Sequence, residues 1–540
     1  MSVAENYDYI IVGSGAAGSV LAARLAAANH SVCVVEAGGN DNSPMIRIPA
    51  GFVKNLTKPD HMWQFNSVPG ENTGNRSVSL PQGKVLGGST SINGLIYNRG
   101  QAYDYDHWSA LGNAGWSYSE VLPYFRKSET RLAEESQYRG SHGPLRISDP
   151  DQSHPLCDAF IESVAKLTGA PTDNDYNGAT QRGVGYYQRF IHEGSRETTA
   201  GAFLKPAVEN YNISLRLQTR ALRVVVEKNK ATGLEVEHNG KRETLQAKKE
   251  LLLCAGTVNT ARLLQHSGIG DGEHLRSLDI PVVHHLPGVG ENLQDHYFVR
   301  LAARLKRGVS TLNSQARGWR LGLQIARWYM GKPSILGWSP SIAYAFLNSQ
   351  DQSSETELPD LQFVFSHGSY RPGRVYELDT FPAVTCGLTQ QRPESKGYVR
   401  ITSADPYKSP DVQPNYLKEE IDQRVTVRGI KMARSILQGE SFSQWFEREE
   451  VPGENIVSDQ ELLEHARNTG NTGYHLVGSC KMGPAVDPMA VVDPKLRVHG
   501  LQQLRVIDAS VMPRVTSSNT CAPTIMIAEK GADLVLGSLV

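Results

Sequence analysis

The segment YDYIIVGSGAAGSVLAARLAAANHSVCVVEAGG, residues 7–39, constrains the fold of this chain more than any other feature. Its short, β-branched apolar start predicts a buried parallel strand. A GxGxxG turn follows, and the Ala- and Leu-rich run from about Ala16 to Ala28 predicts a helix. A second apolar strand ends at Glu36. This order of strand, glycine turn, helix, strand and acid predicts a dinucleotide-binding α/β unit.

Each position in this unit has a physical role. Gly13 permits the tight turn, Gly15 lets the backbone approach a pyrophosphate, and Gly18 lets helix and strand pack closely. The helix N-terminus offers free N–H groups and the positive end of its dipole. Glu36 suits hydrogen bonds from ribose hydroxyls, which disfavours NADP but leaves NAD and FAD open. The alternative is a glycine-rich turn in an ordinary α/β domain.

Length and charge limit the remaining possibilities. The chain has 540 residues, which predicts two domains. Lys+Arg 55 against Asp+Glu 56 gives no electrostatic case for nucleic acid or an anionic membrane as the main partner. The six cysteines are scattered without a CxxC pair, and no spaced His/Asp/Glu set indicates a metal site, so none is expected. Cys33 and Cys254 lie in apolar strand-like runs and are expected in the core.

No targeting or membrane-spanning segment is evident in the sequence. The N-terminus has neither a basic region nor a long apolar core, and no apolar run reaches about 18 residues. We therefore expect a cytoplasmic protein, with peripheral contact to the inner membrane as an open alternative.

A second glycine cluster, QGKVLGGSTSINGLIYNRG, occupies residues 82–100. Glycines followed by small polar residues indicate backbone packed against a flat ligand, because side chains are absent and N–H groups are free. Taken alone, the same pattern also fits any tight loop.

At this point the sequence resembles the glucose–methanol–choline (GMC) family of flavin oxidoreductases, in its bacterial choline-dehydrogenase-like and alcohol-dehydrogenase-like branch. Residues 83–93 resemble the first family signature and 256–270 the second, although Ala261 stands where the family usually has proline. GVGENLQDH (288–296) and nearly everything from 474 to 537 are similar too. The resemblance covers most of the chain, less clearly 130–190 and 300–360.

The resemblance implies FAD rather than NAD, and an α/β fold with an α+β substrate domain. A Rossmann-like FAD-binding domain would be built from discontinuous segments, beside a substrate domain with an antiparallel sheet. The residues agree, because apolar strands recur near positions 10, 35, 253 and 506. We predict the FAD-binding domain in 1–155, 214–298 and 466–540, and the substrate domain in 156–213 and 299–465. Ile92 stands where part of the family attaches flavin through histidine, so the resemblance implies non-covalent FAD.

The two glycine motifs and the resemblance together give a set of expected cofactor contacts. They are Gly13, Ser14, Gly15, Ala17, Gly18, Glu36, Ala37, Trp63, Gly87, Gly88, Ser91, Asn93, Gly94, Leu95, Ile96, Ala221, Asp508, Ala509, Asn519, Thr520 and Thr524.

The expected catalytic pair lies near the C-terminus. His475 opens the motif HLVGSC, and Asn519 follows in RVTSSNTCAP. The resemblance places the active-site pair on these two residues. Oxidation of an alcohol needs a base for the hydroxyl proton, which suits His475, and a donor that holds the substrate oxygen, which suits Asn519. For His296, in a stretch similar to a family motif, we expect a structural role.

We therefore expect FAD-dependent oxidation of a primary alcohol to an aldehyde, with O₂ or a quinone as acceptor. Choline or a polyol as substrate, a lyase or photochemical reaction, and a non-catalytic flavin protein remain alternatives. Residues 310–347, rich in Trp and Tyr, fit a lid, an ordinary packed helix or a basic amphipathic helix at a membrane. The sequence leaves the oligomeric state open.

Overall fold

The structure is a computed structural model that describes residues 6–56, 58–131, 136–350, 358–371, 374 and 377–537. Its strands are β1 (Asn6–Val12), β2 (Val32–Val35), β3 (Met62–Asn66), β4 (Ser79–Gly83), β5 (Glu129–Arg131), β6 (Leu145–Ile147), β7 (Gly183–Tyr186), β8 (Ile191–His192), β9 (Ser195–Arg196), β10 (Ile213–Arg216), β11 (Thr219–Glu227), β12 (Lys230–His238), β13 (Lys241–Leu253), β14 (Ile269–Gly270), β15 (His284–His285), β16 (Glu291–Leu293), β17 (Tyr297–Leu305), β18 (Ala343–Leu347), β19 (Leu361–Ser366), β20 (Ala383–Gln390), β21 (Gly397–Arg400), β22 (Asp411–Gln413), β23 (Phe446–Val451), β24 (Asn471–Thr472) and β25 (Leu504–Val506).

The helices alternate with these strands over most of the chain. They are α1 (Ala16–Ala27), α2 (Pro44–Arg47), α3 (Phe52–Asn55), α4 (Ala102–Ala110), α5 (Tyr118–Ser128), α6 (Pro155–Thr168), α7 (Lys205–Asn210), α8 (Thr257–His266), α9 (Gly272–Ser277), α10 (Leu312–Gln315), α11 (Gly318–Tyr329), α12 (Glu420–Gln438), α13 (Glu440–Ser443), α14 (Asp459–Thr469) and α15 (Cys521–Leu536).

A first seven-stranded sheet contains the predicted nucleotide fold. Its order is β10-β2-β1-β13-β12-β11, with β25 also paired to β13. The pairs β1–β2, β1–β13 and β13–β25 are parallel, so the strands predicted near positions 10, 35, 253 and 506 do share one sheet. Their apolar residues are buried, as expected for a parallel sheet covered on both faces. Because parallel strands end at the same edge, the segments after β1, β2, β13 and β25 meet there.

A second seven-stranded sheet is antiparallel in each of its strand pairings. Its order is β23-β17-β20-β19-β18-β7, with β24 paired to β17. Helix α12 packs on β20, and α6 packs on β18. The predicted fold class, an α/β nucleotide unit beside a part built on an antiparallel sheet, is therefore confirmed.

The strands of the two sheets interleave along the chain, and three of them depart from the predicted segment limits. β10 of the first sheet begins at Ile213, the last residue of the predicted substrate segment 156–213. β17 begins at Tyr297, whereas the predicted limit falls after 298. β24 pairs with the second sheet, although it falls in the segment 466–540. Tertiary pairing decides these edges, and the exact domain limits stay a prediction.

Helix α11 is the most exposed long helix of the region 310–347. None of its residues is buried, and Trp319 is 76% exposed. Trp328 faces the protein, where its Nε1 donates to the Gly194 carbonyl at 3.0 Å. In the described ranges no helix has both the length and the apolarity required to cross a membrane.

Candidate active site

A continuous cavity of about 470 Å³ lies between the carboxyl edge of the first sheet and one face of the second sheet. One end is lined by the GxGxxG turn and Glu36. The other end is lined by His475, Asn519 and residues of β17, β19 and β20. The fold thus joins the two regions that the sequence marked separately.

The GxGxxG turn is shaped by close backbone contacts. Gly13 has φ +99°, and a Cβ on it would lie 2.5 Å from the Cys254 carbonyl oxygen. A Cβ on Gly18 would lie 1.8 Å from the Gly13 oxygen. Gly15 caps α1 without any side-chain hydrogen bond, so the N-terminal N–H groups of this helix stay available at the cavity. This arrangement suits an anion such as a diphosphate.

Glu36 holds the turn in place as well as lining the cavity. Its Oε2 accepts hydrogen bonds from the Ser14 N–H at 3.0 Å and the Ser14 hydroxyl at 2.7 Å, and its Oε1 accepts from the Gly38 N–H at 2.8 Å. Burial raises the pKa of this carboxyl, while these three donors lower it. Oε1 accepts one bond, so a lone pair is left for a ribose hydroxyl.

The second glycine loop packs directly on the first. Gly88 has φ +54°, and a Cβ on it would lie 2.7 Å from the Gly15 Cα. Leu95 is fully buried with φ +68°, a strained conformation for a residue with a side chain. Strain of this kind is found where a loop is fixed against a ligand or another backbone.

Arg196, which the sequence did not single out, positions this loop. Its Nη1 donates to the Asn93 carbonyl and to Asn93 Oδ1, both at 2.8 Å, and its Nε donates to the Ile46 carbonyl at 3.0 Å. Burial lowers its pKa to about 9. The sequence signal for Arg196 was weak, because a single arginine in a polar stretch forms no recognisable local motif.

Most expected cofactor contacts lie on the cavity wall. These are Gly13, Gly15, Ala17, Glu36, Ala37, Trp63, Gly88, Asn93, Gly94, Leu95, Ile96, Ala221, Asp508, Ala509, Asn519, Thr520 and Thr524. Four others do not line it: Ser14, Gly18, Gly87 and Ser91 lie behind the wall and support it. The Ser91 hydroxyl, for example, donates to the Leu86 carbonyl at 2.7 Å.

Asp508 links two segments at the edge of the first sheet. Its Oδ2 accepts from the Gly256 N–H at 2.9 Å and from the Thr260 hydroxyl at 2.6 Å, and its Oδ1 accepts from the Ser510 N–H at 2.8 Å. Burial raises the pKa of Asp508, and these donors oppose the shift. The carboxylate therefore anchors the start of α8 beside the cavity.

His475 and Asn519 meet at the far end of the cavity. The Nδ2 of Asn519 lies 2.9 Å from the Nε2 of His475. Asn519 Oδ1 in turn lies 3.4 Å from the Gln362 Nε2, which can donate to it. The His475 ring is partly buried, and burial together with the neighbouring His296 lowers its pKa well below the usual value.

His296 contacts His475 directly, a contact that the expected structural role did not include. The two Nδ1 atoms lie 2.8 Å apart, and His296 Nε2 lies 2.9 Å from the Gln391 carbonyl. Since a carbonyl only accepts, His296 Nε2 carries the proton, and burial lowers the pKa of His296 to about 4, so the ring is neutral. His296 Nδ1 must then accept from His475 Nδ1–H. This leaves the lone pair of His475 on Nε2, which faces Asn519.

The backbone around His475 is held by a buried carboxyl group. Asp295 Oδ1 accepts from the His475 N–H at 2.7 Å, and its Oδ2 accepts from the hydroxyls of Thr472, at 2.6 Å, and Tyr416. Burial raises the pKa of Asp295 to about 6. Tyr474 has φ +65° and turns the chain just before His475.

Among the described residues, the fold brings together one set of side chains with metal-ligand spacing that the sequence did not indicate, and the expectation of no metal site stays a prediction. One ligand atom each from His154, Cys157 and His367 lies within 4.8 Å of the others. None of the three lines the cavity. The sequence did not reveal the set because His367 is distant along the chain.

Comparison with known proteins gives consistent results. Two sequence profiles described as GMC oxidoreductase match residues 7–298 and 393–528. The oxygen-dependent choline dehydrogenase of Photobacterium profundum is 38% identical over 542 residues, covering 98% of this chain and 93% of that protein.

Two solved structures are similar over nearly their whole length. Pyridoxine 4-oxidase from Mesorbium loti gives a TM-score of 0.87 at 28% identity, covering 98% of both chains. A variant of Aspergillus oryzae RIB40 formate oxidase, studied for the effect of a mutation on FAD modification, gives 0.91 at 25% identity and 99% of both chains.

Proposed function

Because this chain belongs to the GMC oxidoreductase family and is an FAD-dependent enzyme acting on CH–OH groups, we propose that it oxidises a primary alcohol to an aldehyde with His475 as the general base. The observation that carries this proposal is the hydrogen-bond chain from Gln391 through His296 to His475. It leaves the unprotonated Nε2 beside Asn519, at the cavity.

The residues of the cavity fit FAD. The uncapped N-terminus of α1 suits the diphosphate, and Gly15 and Gly88 keep their contact free of side chains. Glu36 has acceptor capacity for a ribose hydroxyl. FAD, when bound, supplies the hydride acceptor. Ile92 packs with Ile46, Met62 and Val85 and is no nucleophile, which supports FAD that is not covalently attached.

The remaining steps are carried out by side chains of the protein. His475 Nε2 takes the hydroxyl proton as the alcohol is oxidised, and a histidine with a low pKa is unprotonated and ready for this near neutral pH. Asn519 Nδ2, which cannot titrate, donates a hydrogen bond to the substrate oxygen and keeps it in register. His296 is a positioning residue, because it fixes the tautomer of His475.

Anaerobic mixing with a panel of primary alcohols tests the proposal. We expect bleaching of the flavin absorbance with alcohols and none with the corresponding alkanes. A protein that keeps its oxidised spectrum with every alcohol would contradict it. Mixing the reduced enzyme with O₂ and, separately, with a quinone identifies the electron acceptor. Acid precipitation of the protein should release the flavin into the supernatant.

We further infer that α11 contacts an anionic membrane surface. Residues 306–350 contain six Lys or Arg and no Asp or Glu, in a chain of net charge −1. Trp319 is 76% exposed, Tyr329 73% and Met330 60%. An exposed apolar strip with flanking arginines is typical of helices that lie in a lipid headgroup region.

A further inference from the structure

The second sheet presents an ordered set of side chains to the cavity. Alternate residues of three strands line it: Phe298 and Arg300 from β17, Gln362, Val364 and Ser366 from β19, and Thr385 and Thr389 from β20. The period of two is that of residues on one face of a sheet.

Strand pairing sorts these side chains into three rows. In the first row, Thr389 of β20 pairs with both Gln362 and Phe298. In the second, Gly387 pairs with Val364 and Arg300. In the third, Ser366 pairs with Thr385.

The first row lies at the catalytic pair, because Gln362 Nε2 is 3.4 Å from Asn519 Oδ1. Each further row is two residues away, which is roughly 7 Å along a strand. The backbone of Arg300 therefore lies roughly 7 Å along the strand from the row at the catalytic pair. The backbones of Ser366 and Thr385 lie roughly 13 Å from that row.

Arg300 lies in the cavity wall without direct contact to any acid among the described residues. Within the part of the chain that the structure describes, its guanidinium forms no ion pair and no hydrogen bond. Asp379 acts on Arg300 electrostatically without contacting it, and it accepts a hydrogen bond from the Ser369 hydroxyl at 2.6 Å. Burial lowers the pKa of Arg300, whereas Asp379 and Tyr370 raise it, so the guanidinium is partly withdrawn from water near an acid that it does not contact.

Hydroxyl groups next to Arg300 also lack partners. Ser366 Oγ and Thr385 Oγ1 are buried, and neither has a hydrogen-bond partner in the described residues. The Tyr370 side chain lines the same part of the cavity and interacts electrostatically with Arg300. These two hydroxyl oxygens are closed to solvent, so the donor that a ligand in the cavity meets first is the Arg300 guanidinium, which suits a ligand that supplies acceptors.

Asp379, the described acid that acts on Arg300 electrostatically, does not line the cavity, so no carboxylate among the described residues faces a ligand at the substrate end. The acids on the cavity wall are Glu36 and Asp508, both at the edge of the first sheet and both bonded to protein donors. A quaternary ammonium alcohol such as choline would therefore meet a cation here and no anion. Like charges in a partly buried site repel strongly.

We propose that Arg300 selects alcohols that carry a carboxylate or a similar anionic group at the end opposite the hydroxyl. The anion site lies at Arg300, beside Ser366 and Thr385, roughly 7–13 Å from the reacting carbon. The inference rests on the proposed alcohol oxidation and names its substrate class. The proposed substrate class distinguishes this chain from the Photobacterium profundum relative, whose name specifies choline.

The test compares three alcohols of one length on the holoenzyme: an ω-hydroxycarboxylate of about six to ten carbons, its neutral carboxamide, and the trimethylammonium analogue. Anaerobic flavin reduction should give a kcat/KM for the carboxylate that is roughly tenfold to a hundredfold above the other two. Arg300→Gln should abolish this preference, and Arg300→Glu should favour the ammonium alcohol. Arg307→Gln, at an exposed arginine just after β17, is the matched control and should keep it.

Binding separates this inference from the reaction. The unsubstituted alkanoate of the same length, which cannot be oxidised, should bind in calorimetry and bind roughly tenfold or more weakly to Arg300→Gln. A wild-type enzyme that does not bind the alkanoate, an unchanged affinity in Arg300→Gln, or a preference for the ammonium alcohol overturns the role of Arg300. Normal alkanoate binding without flavin reduction by any alcohol contradicts only the alcohol oxidation.

Discussion

The Nδ1 atoms of His475 and His296 lie 2.8 Å apart, and this contact ties the base strength of His475 to a residue that does not line the cavity. His296 is buried between His475 and the Gln391 carbonyl, so its protonation is costly. The two histidines titrate as a coupled pair, in which His296 Nδ1 accepts the hydrogen bond from Nδ1–H of His475. Four consequences for activity and stability, and one for surface contact, are open to measurement.

Replacing His475 with alanine should lower kcat by roughly 10²–10⁴-fold, because general base catalysis contributes about that much. The flavin should stay bound, since the GxGxxG turn and the second glycine loop are untouched. Steady-state kinetics and the ratio of flavin to protein absorbance measure the two effects. Near-normal turnover would assign the base elsewhere.

The acid limb of the pH profile should lie below the ordinary histidine value of 6.5, because the pKa of His475 is lowered. His475 must be unprotonated to act, so activity is retained as the pH falls until that lowered pKa is reached. His296→Asn keeps an acceptor for Nδ1–H but removes one of the two causes of the shift. The limb should then move to higher pH in kcat/KM.

A matched variant tests whether this pH effect is specific. His284→Asn changes a histidine whose ring bonds to the His499 carbonyl, away from the cavity. Its profile should coincide with that of the wild type. An identical acid limb in His296→Asn would show that His296 does not contribute to the lowered pKa of His475.

Gly88→Ala should abolish or strongly weaken FAD binding, because the new Cβ would lie 2.7 Å from the Gly15 Cα at a position with φ +54°. Gly240→Ala is the control: it has φ +74° and nothing within 4 Å of the added Cβ. The control carries only the left-handed backbone cost of about 1 kcal/mol and should keep its flavin. Equal flavin content in both variants would show that the contact of the two glycine loops is dispensable.

Asp295 should make the folded enzyme less stable as the pH rises from about 4 to about 6. Its folded pKa is raised to about 6, above the ordinary value of 3.8. The folded state therefore binds the proton more tightly, and this contribution is present at low pH and lost through the folded pKa. The shift corresponds to about 3 kcal/mol. Thermal midpoints of wild type and Asp295→Asn across this range should differ in slope, and parallel curves would refute the assignment.

Trp319→Ser should weaken sedimentation with phosphatidylglycerol vesicles roughly tenfold, because the exposed indole supplies apolar area to the headgroup region. Tyr211→Ser removes another exposed aromatic side chain, outside the basic segment 306–350, and should leave binding unchanged. Binding should be absent on neutral phosphatidylcholine and should fall with salt. Wild-type protein that stays in the supernatant with anionic vesicles would exclude this surface.

Local patterns were sufficient for the nucleotide fold. The apolar runs of β1 and β2, the glycine turn and the Ala-rich α1 are consecutive, so each element could be predicted from period and turn chemistry. The resemblance, which the motifs around these residues carry, placed both catalytic candidates, His475 and Asn519.

Residues that act through tertiary contacts could not be found in this way. His296 reaches His475 from 179 positions away, and Arg196 reaches Asn93 across 103 positions. Arg300 did carry a local signal, because it falls on the same face as Phe298 in an alternating strand. The sequence alone could not show that this face lines a cavity rather than a core.

The distance along β17, β19 and β20 between the catalytic pair and the second and third rows has a consequence for descent with modification. The base and its partner lie outside the strands of the second sheet, whereas the second and third rows of β17, β19 and β20 face the remote part of a substrate. Substitutions at the cavity-facing positions of those rows can redirect the enzyme to a new alcohol while its chemistry is inherited intact. Relatives that descend from such an enzyme would then share one reaction and differ in the alcohols they accept.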